Sequence, residues 1–409
     1  MRRWKTMTLA IAGGKPVRTK PFAQWPIFDD LEREYVLRAL DSGKWGGVGS
    51  TFGGEEPFIP QFEREFAKLQ DANHAVSCVN GTVAITVALQ AAGVKSGDEV
   101  IIPPYTFVAT ATGVLAFGAI PVFVDIEEDT LLIDPDKIEQ AITPKTKAII
   151  AVHIAGAVAD MTRIMEIARK HNLAVIEDAA QAVGAQWEGK GVGAIGDLGT
   201  FSFQSSKNLN AGEGGIVITN DSSLWSQAWS ICNVGRIPEG AWYQHEVLGQ
   251  NYRITDIQAA LLLAQMTRLE QQMIQREKNA QILDGLIGEI PELTLVRRDP
   301  RITRHAHHIY MFKLEREFAE RIDKNEFILR VNAEGIPISY GYVPLNQTNA
   351  VLSATKQWLG EERSFECPIC ERLSAKQVLW LGQNVLLSEE EALHDVAESL
   401  NKVIRSFDV

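Results

Sequence analysis

Hydrophobic positions along the chain fall into short continuous runs separated by stretches with helical spacing, and this alternation predicts the architecture. Runs near 76–79, 99–103, 120–125, 147–153, 173–178, 198–203 and 215–219 are rich in Val, Ile and Phe and bounded by turn residues, so they read as strands. Between most of them lie segments with apolar residues three and four apart, such as Val83, Val87 and Ala91. Strands that are apolar on both faces need cover on both faces. The pattern therefore predicts an α/β fold, a mostly parallel seven-stranded sheet between helices. From Asp256 a helical run extends to about Ile287, with Ile257, Leu261, Ala264, Arg268 and Gln272 drifting from an apolar to a polar face. Beyond it, LTLV and HHIYMFKLE read as strands and DKNEFILRVNAEG as a helix closed by glycine. SEEEALHDVAESLNKVI reads as a helix opened by a capping box from Ser388 to Glu391. Three parts are expected: an N-terminal arm and pocket loop over 1–60, a large α/β domain over 61–265, and a smaller α+β domain over 266–409.

Composition narrows the function classes. A chain of 409 residues with 45% hydrophobic content can hold two cores, and a formal charge of −12 argues against a nucleic-acid partner. No apolar run is long enough to cross a bilayer, and the stretch TLAIA near the start is too short for a signal sequence. Four cysteines make no disulfide framework, so a cytoplasmic setting is expected. Cys367 and Cys370 form a C-x-x-C without a second pair, whereas a structural zinc needs four ligands; packing is the expected role. On a strand His307 and His308 face opposite sides, so His305, His307 and His308 do not form a ligand set, and no metal is expected. The glycine-rich GKWGGVGSTFGGEE reads as a mobile loop, and GVGAIG at 191–196 precedes a strand rather than opening a helix, which excludes it as a dinucleotide site.

Three stretches carry chemistry. Lys207 sits in SSKNLNAGEGG, a loop of small and turn residues between two strand-like runs. A lysine amine with a lowered pKa is a nucleophile towards carbonyls, and an imine with pyridoxal phosphate is its commonest use; a solvated surface lysine is the plain alternative. Ser202, five positions earlier, can offer a hydroxyl to a phosphate. LAVIED ends in carboxylates at the C-terminal end of a buried strand. There Asp178 can keep a pyridine nitrogen protonated, or cap the next helix, or both. Gln181 comes one turn later, within reach of the phenolic oxygen of the same ring. In the third stretch a strand, Asn80-Gly81-Thr82-Val83 and a helix offer free amides and a positive dipole end to a phosphate.

NGTVAITVAL, PPYTFVATATGVLAFGAIPVFVDI, VIEDAAQAVGA, FSFQSSKNLNAGEGGIVIT and GQNYRITDIQAALLLAQMTRLE, in this order, resemble the DegT/StrS family of pyridoxal-phosphate aminotransferases acting on keto sugars and keto cyclitols. The resemblance spans nearly the whole chain. It implies the type I fold, Lys207 as the residue of the internal aldimine and the proton shuttle, and Asp178 beside the pyridine nitrogen. It also implies a phosphate held by Ser202 and the amides of Gly81, Thr82 and Val83, and Phe107 stacked on the cofactor ring. Asn251 would reach the phosphate of a neighbouring subunit, which implies a homodimer with shared active sites. Trp45 is a candidate pocket wall, with a loop-anchoring role as its alternative, and Tyr310 resembles a substrate-facing tyrosine of the cyclitol and aminohydroxybenzoate branch. Pro344-Leu345-Asn346 departs from the family's proline-leucine-histidine, which commonly serves nucleotide sugars. The implied activity is ping-pong transfer of an amino group from glutamine or glutamate to a keto sugar or a keto cyclitol such as 2-deoxy-scyllo-inosose. A nucleotide-keto-sugar aminotransferase and an aminohydroxybenzoate-synthase-like enzyme stand as alternatives.

Overall fold

The computed structural model describes residues 8–47, 56–241 and 243–407. Residues 48–55, most of the expected glycine-rich loop, lie outside the described residues. Seven strands build the main sheet: β1 (His74–Cys78), β2 (Glu99–Ile102), β3 (Ile120–Phe123), β4 (Thr146–Val152), β5 (Ala174–Asp178), β6 (Leu198–Ser202) and β7 (Gly215–Thr219). Each lies within a residue or two of the run that predicted it. Their spatial order is β1-β7-β6-β5-β4-β2-β3. β7 pairs antiparallel with β1 and β6, and the remaining pairs are parallel. The middles of the central strands carry apolar residues on both faces because both faces are covered: Ile149, Ile150, Val175 and Ile176 are fully buried.

A second, antiparallel sheet forms from Leu293–Leu295, Ile309–Leu314, Val378–Gly382 and Ile338–Ser339, in that order across the sheet. Its core holds Phe312, Phe327, Leu379, Leu393 and Leu400. The helix Asp256–Gly288 joins the two cores. Its first turns bury Ala259, Leu262 and Leu269 in the first core, and its last turns bury Ala280, Leu283 and Ile287 in the second. Thr255 opens this helix by a capping box with Gln258, which fixes its start beside the main sheet. Later in the chain, Leu345, Val351, Cys367 and Leu373 return to the first core.

Two local expectations meet different outcomes. The capping box expected at Ser388 is absent, because Ser388 is buried and committed elsewhere. Its hydroxyl donates to Asn384 O at 2.9 Å and accepts the Ala23 N–H at 2.9 Å, and the final helix starts at Glu390. Cys367 does stand at the N-cap of a helix, Pro368–Lys376, whose first amides, those of Ile369 and Cys370, donate to the Asp125 carboxylate. All four cysteines are free and buried. Among the described residues no group of three or more His, Cys, Asp or Glu could hold a metal, and no helix is long and apolar enough to cross a membrane.

Candidate active site

Parallel strands leave a crevice beyond their carboxyl ends, and here it becomes a cavity of about 760 Å³. The ends of β4, β5 and β6 and the start of the helix Gly81–Ala91 form its floor, while His308, Tyr342 and Gln383, from segments that follow the long helix Asp256–Gly288, line the rest. Lys207, Asp178, Gly81, Thr82, Phe107, Gln181 and Ser202 all line it. Residues far apart in the chain thus converge because each sits at a strand end or in the loop that leaves one.

Asp178 is the last residue of β5 and is buried. Its carboxylate accepts the Thr110 hydroxyl at 2.8 Å and the Ala180 N–H at 3.3 Å, both uncharged donors. Burial pushes its pKa up, against those bonds and the pull of Lys207. Lys207 is partly exposed through its loop, while burial of its amine lowers the pKa to about 8, with Asp178 opposing. A carboxylate held in the cavity without a cation in contact, and an amine able to lose its proton near neutrality, are the groups that a pyridinium ring and an aldehyde would engage.

The phosphate cup is narrower than expected. Asn80 caps the helix Gly81–Ala91 by accepting the Val83 N–H at 2.9 Å, so that amide is committed and Val83 stays off the cavity wall. Gly81, Thr82 and the Ser202 hydroxyl remain. A Cβ at Gly81 would stand 2.6 Å from Ser202 Cβ, so only glycine lets the helix end and the hydroxyl meet. Phe107 is exposed towards the cavity, 6.2 Å between centroids from the Tyr342 ring, which packs at 4.4 Å on Trp380. Gln181 accepts the Ala155 N–H at 2.7 Å and donates to the Tyr342 hydroxyl at 2.7 Å, leaving one amide hydrogen for a ligand. Together these features fit pyridoxal phosphate: a cup for its phosphate, an aromatic face for its ring, a carboxylate for its nitrogen and an amine for its aldehyde.

Trp45 and Tyr310 lie elsewhere, and Asn251, expected at the phosphate of a neighbouring subunit, lies off this chain's own site. Trp45 is exposed; its indole N–H donates to Leu40 O and its carbonyl caps Asp256 N, which is the loop-anchoring role. Tyr310 is buried in the second core with its hydroxyl on Asp284 at 2.6 Å, because its strand turns that face away from the cavity. Asn251 is exposed, bridging to Asn233, and lies off this chain's cavity. Asn346, at the departure from proline-leucine-histidine, is buried with its amide N–H groups on Phe365 O and Glu371.

Sequence reasoning missed the second ring of residues. His153 Nδ1 accepts the Ala159 N–H at 3.2 Å, so its Nε2 carries the hydrogen donated to Glu177 at 2.9 Å. His308 is fixed the opposite way. Asn208 spends its amide N–H on Ala306 O, so its Oδ1 accepts from His308 Nδ1 at 3.0 Å. Burial and the cations Lys207 and Arg276 hold His308 well below its usual pKa, leaving Nε2 as an acceptor. The only sequence signal was the HH pair itself, since the backbone that presents it is set by contact: His308 N donates to Ala155 O, with Ala155 and His307 both at positive φ.

The geometry has counterparts among known proteins. The model of the DegT/DnrJ/EryC1/StrS aminotransferase family matches residues 27–401. The chain is similar to the L-glutamine:2-deoxy-scyllo-inosose aminotransferase of Streptoalloteichus tenebrarius, at 37% identity over 97% of each chain. Its fold superposes on the crystal structure of 3-amino-5-hydroxybenzoic acid synthase with a TM-score of 0.85 at 33% identity, covering 95% of this chain and all of that one. It also matches the NtdA structure from Bacillus subtilis, described with bound cofactor PMP, with a TM-score of 0.79 at 28% identity over 95% of this chain and 86% of that one.

Proposed function

The chain belongs to the DegT/DnrJ/EryC1/StrS aminotransferase family and has its type I α/β fold, and from that premise we propose that it uses pyridoxal phosphate to move an amino group from glutamine or glutamate to a keto cyclitol of the 2-deoxy-scyllo-inosose kind. The observation that carries the reading is Asp178, a buried carboxylate held only by uncharged donors across the cavity from Lys207. Bound there, pyridoxal phosphate supplies an electron-withdrawing ring that accepts the electron pair released at the donor's α-carbon. Asp178 keeps the proton on the ring nitrogen that makes this withdrawal strong. Lys207 Nζ takes the proton from the donor's α-carbon and returns one when the acceptor's carbon is built. Gly81, Thr82 and Ser202 hold the phosphate, and Phe107 and Tyr342 fix the ring plane.

A keto cyclitol is favoured as acceptor by the cavity wall. Gln204, Gln383, Asn384 and His308 offer hydrogen bonds to hydroxyls, whereas Lys207 is the only lysine or arginine among the described lining residues. A nucleotide sugar would bring a diphosphate with no matching charge, and Asn346 lies off the wall. The site is also proposed to be completed by a second copy, with Asn251 reaching across. Its loop exposes Tyr243 and Leu248, apolar surface suited to burial in a dimer.

The test is the visible spectrum of the purified protein before and after glutamine or glutamate, beside Lys207→Ala. A cofactor band that one donor bleaches in the wild type and not in the mutant is expected. A band that neither donor changes, or no band after reconstitution, would overturn the reading. Light scattering that found a fully active monomer would remove the dimer.

A further inference from the structure

A donor amino acid brings a carboxylate into a cavity where Lys207, its one described lysine or arginine, is engaged in the chemistry. Directly behind the cavity wall lies another cation. Arg276, on the helix Asp256–Gly288, is fully buried. Its guanidinium stands 5.5 Å from the centroid of Trp25 and donates through Nη2 to Gln383 Oε1 at 2.7 Å; Trp25 and Gln383 both line the cavity. Nε and Nη1 have no hydrogen-bond partner among the described residues. Burial alone pulls its pKa down to about 9, with no acidic neighbour opposing.

A buried guanidinium with two bare nitrogens is a costly arrangement, and interiors rarely keep one without use. Gln383 is a weak substitute for an anion here. It offers one neutral oxygen, while its own amide donates to Ser206 O at 2.6 Å, next to Lys207. His308, which also lines the cavity, has its pKa lowered by burial and in part by the Arg276 charge.

We propose that Arg276 receives the α-carboxylate of the amino donor, with Gln383 turning aside so that the carboxylate takes over the guanidinium's free N–H groups. The inference rests on the amino-transfer reading and deepens it. A fork-shaped donor set matches a carboxylate, and the placement beside Ser206 brings the donor's α-carbon to Lys207. The keto acceptor has no carboxylate, so Arg276 serves one half of the reaction only.

The test uses the holoenzyme and ligands that cannot react. Glutaramate, which is glutamine without its amino group, and glutaramide, its uncharged counterpart, are titrated by calorimetry into wild type, Arg276→Met and Arg276→Gln. The wild type should bind glutaramate about 10- to 100-fold more tightly than glutaramide, and both variants should lose that preference. Arg276→Gln keeps a donor for Gln383, so it gives the reading if Arg276→Met does not fold. A wild type without the preference, or a folded variant that keeps it, overturns the proposal, the latter pointing to a cation from a second copy. Failure of the amino-transfer reading would appear separately, as a wild-type spectrum that neither glutamine nor glutamate moves.

Discussion

Glu177 and Asp178 are consecutive, buried and end the same strand, yet they are held in opposite ways. Successive side chains on a strand point to opposite faces, so Glu177 enters the packed interior and Asp178 the cavity. Glu177 accepts His153 and the amides of Gly193, Ile195 and Gly196 at 2.7–2.9 Å. These bonds outweigh burial and keep its pKa below the usual value, while that of Asp178 is raised. A fully satisfied carboxylate is a rivet. An undersupplied one facing a cavity is waiting for a cation.

The largest effect that would sharpen this contrast is on turnover. Asp178→Asn keeps the shape and removes the charge, and it should slow single-turnover amino transfer by about 10²–10³-fold while the fold is kept, as read by stopped-flow absorbance. Glu177→Gln should do the reverse, costing about 3 kcal/mol of stability in denaturant titrations because a buried, fully bonded charge is lost. The Glu177 pKa is depressed on folding, so its contribution is present above the ordinary 4.5 and disappears on acidification. The deficit of Glu177→Gln should shrink accordingly below pH 4.5.

Capture of pyridoxal phosphate by the apo protein requires a neutral Lys207 amine. Its rate should rise about tenfold per pH unit up to a midpoint near 8, well below the ordinary lysine value of 10.5. The apo protein offers a further discriminator. The Asp178 pKa is raised on folding, so its ionisation destabilises the apo fold increasingly as pH climbs past 3.8. Apo Asp178→Asn should therefore be about 1 kcal/mol more stable than apo wild type at neutral pH, a gain absent in acid. If Asp178→Asn destabilised the apo protein as Glu177→Gln does, the distinction between the two carboxylates would collapse. The smallest effect belongs to Thr110→Val, which removes one hydroxyl from Asp178 and should slow turnover about fivefold without changing the melting temperature by more than a few degrees.

The strands, the long helix, Lys207, Asp178 and the glycine at the helix start were all legible in the chain alone, because apolar runs and turn residues act locally and mark where each strand ends. Which groups are satisfied was settled by packing. Val83 lost its amide to Asn80, Ser388 gave up its cap to tie down Ala23, and Tyr310 turned into the second core. His153, Thr110 and Arg276 had no legible signal and His308 only its pairing with His307, since the roles of His153, Thr110, His308 and Arg276 depend on partners 24, 68, 100 and 107 residues away. Hydrogen bonds to such distant partners exist only once the cores have packed, and packing fixes which face of a strand meets solvent, ligand or protein.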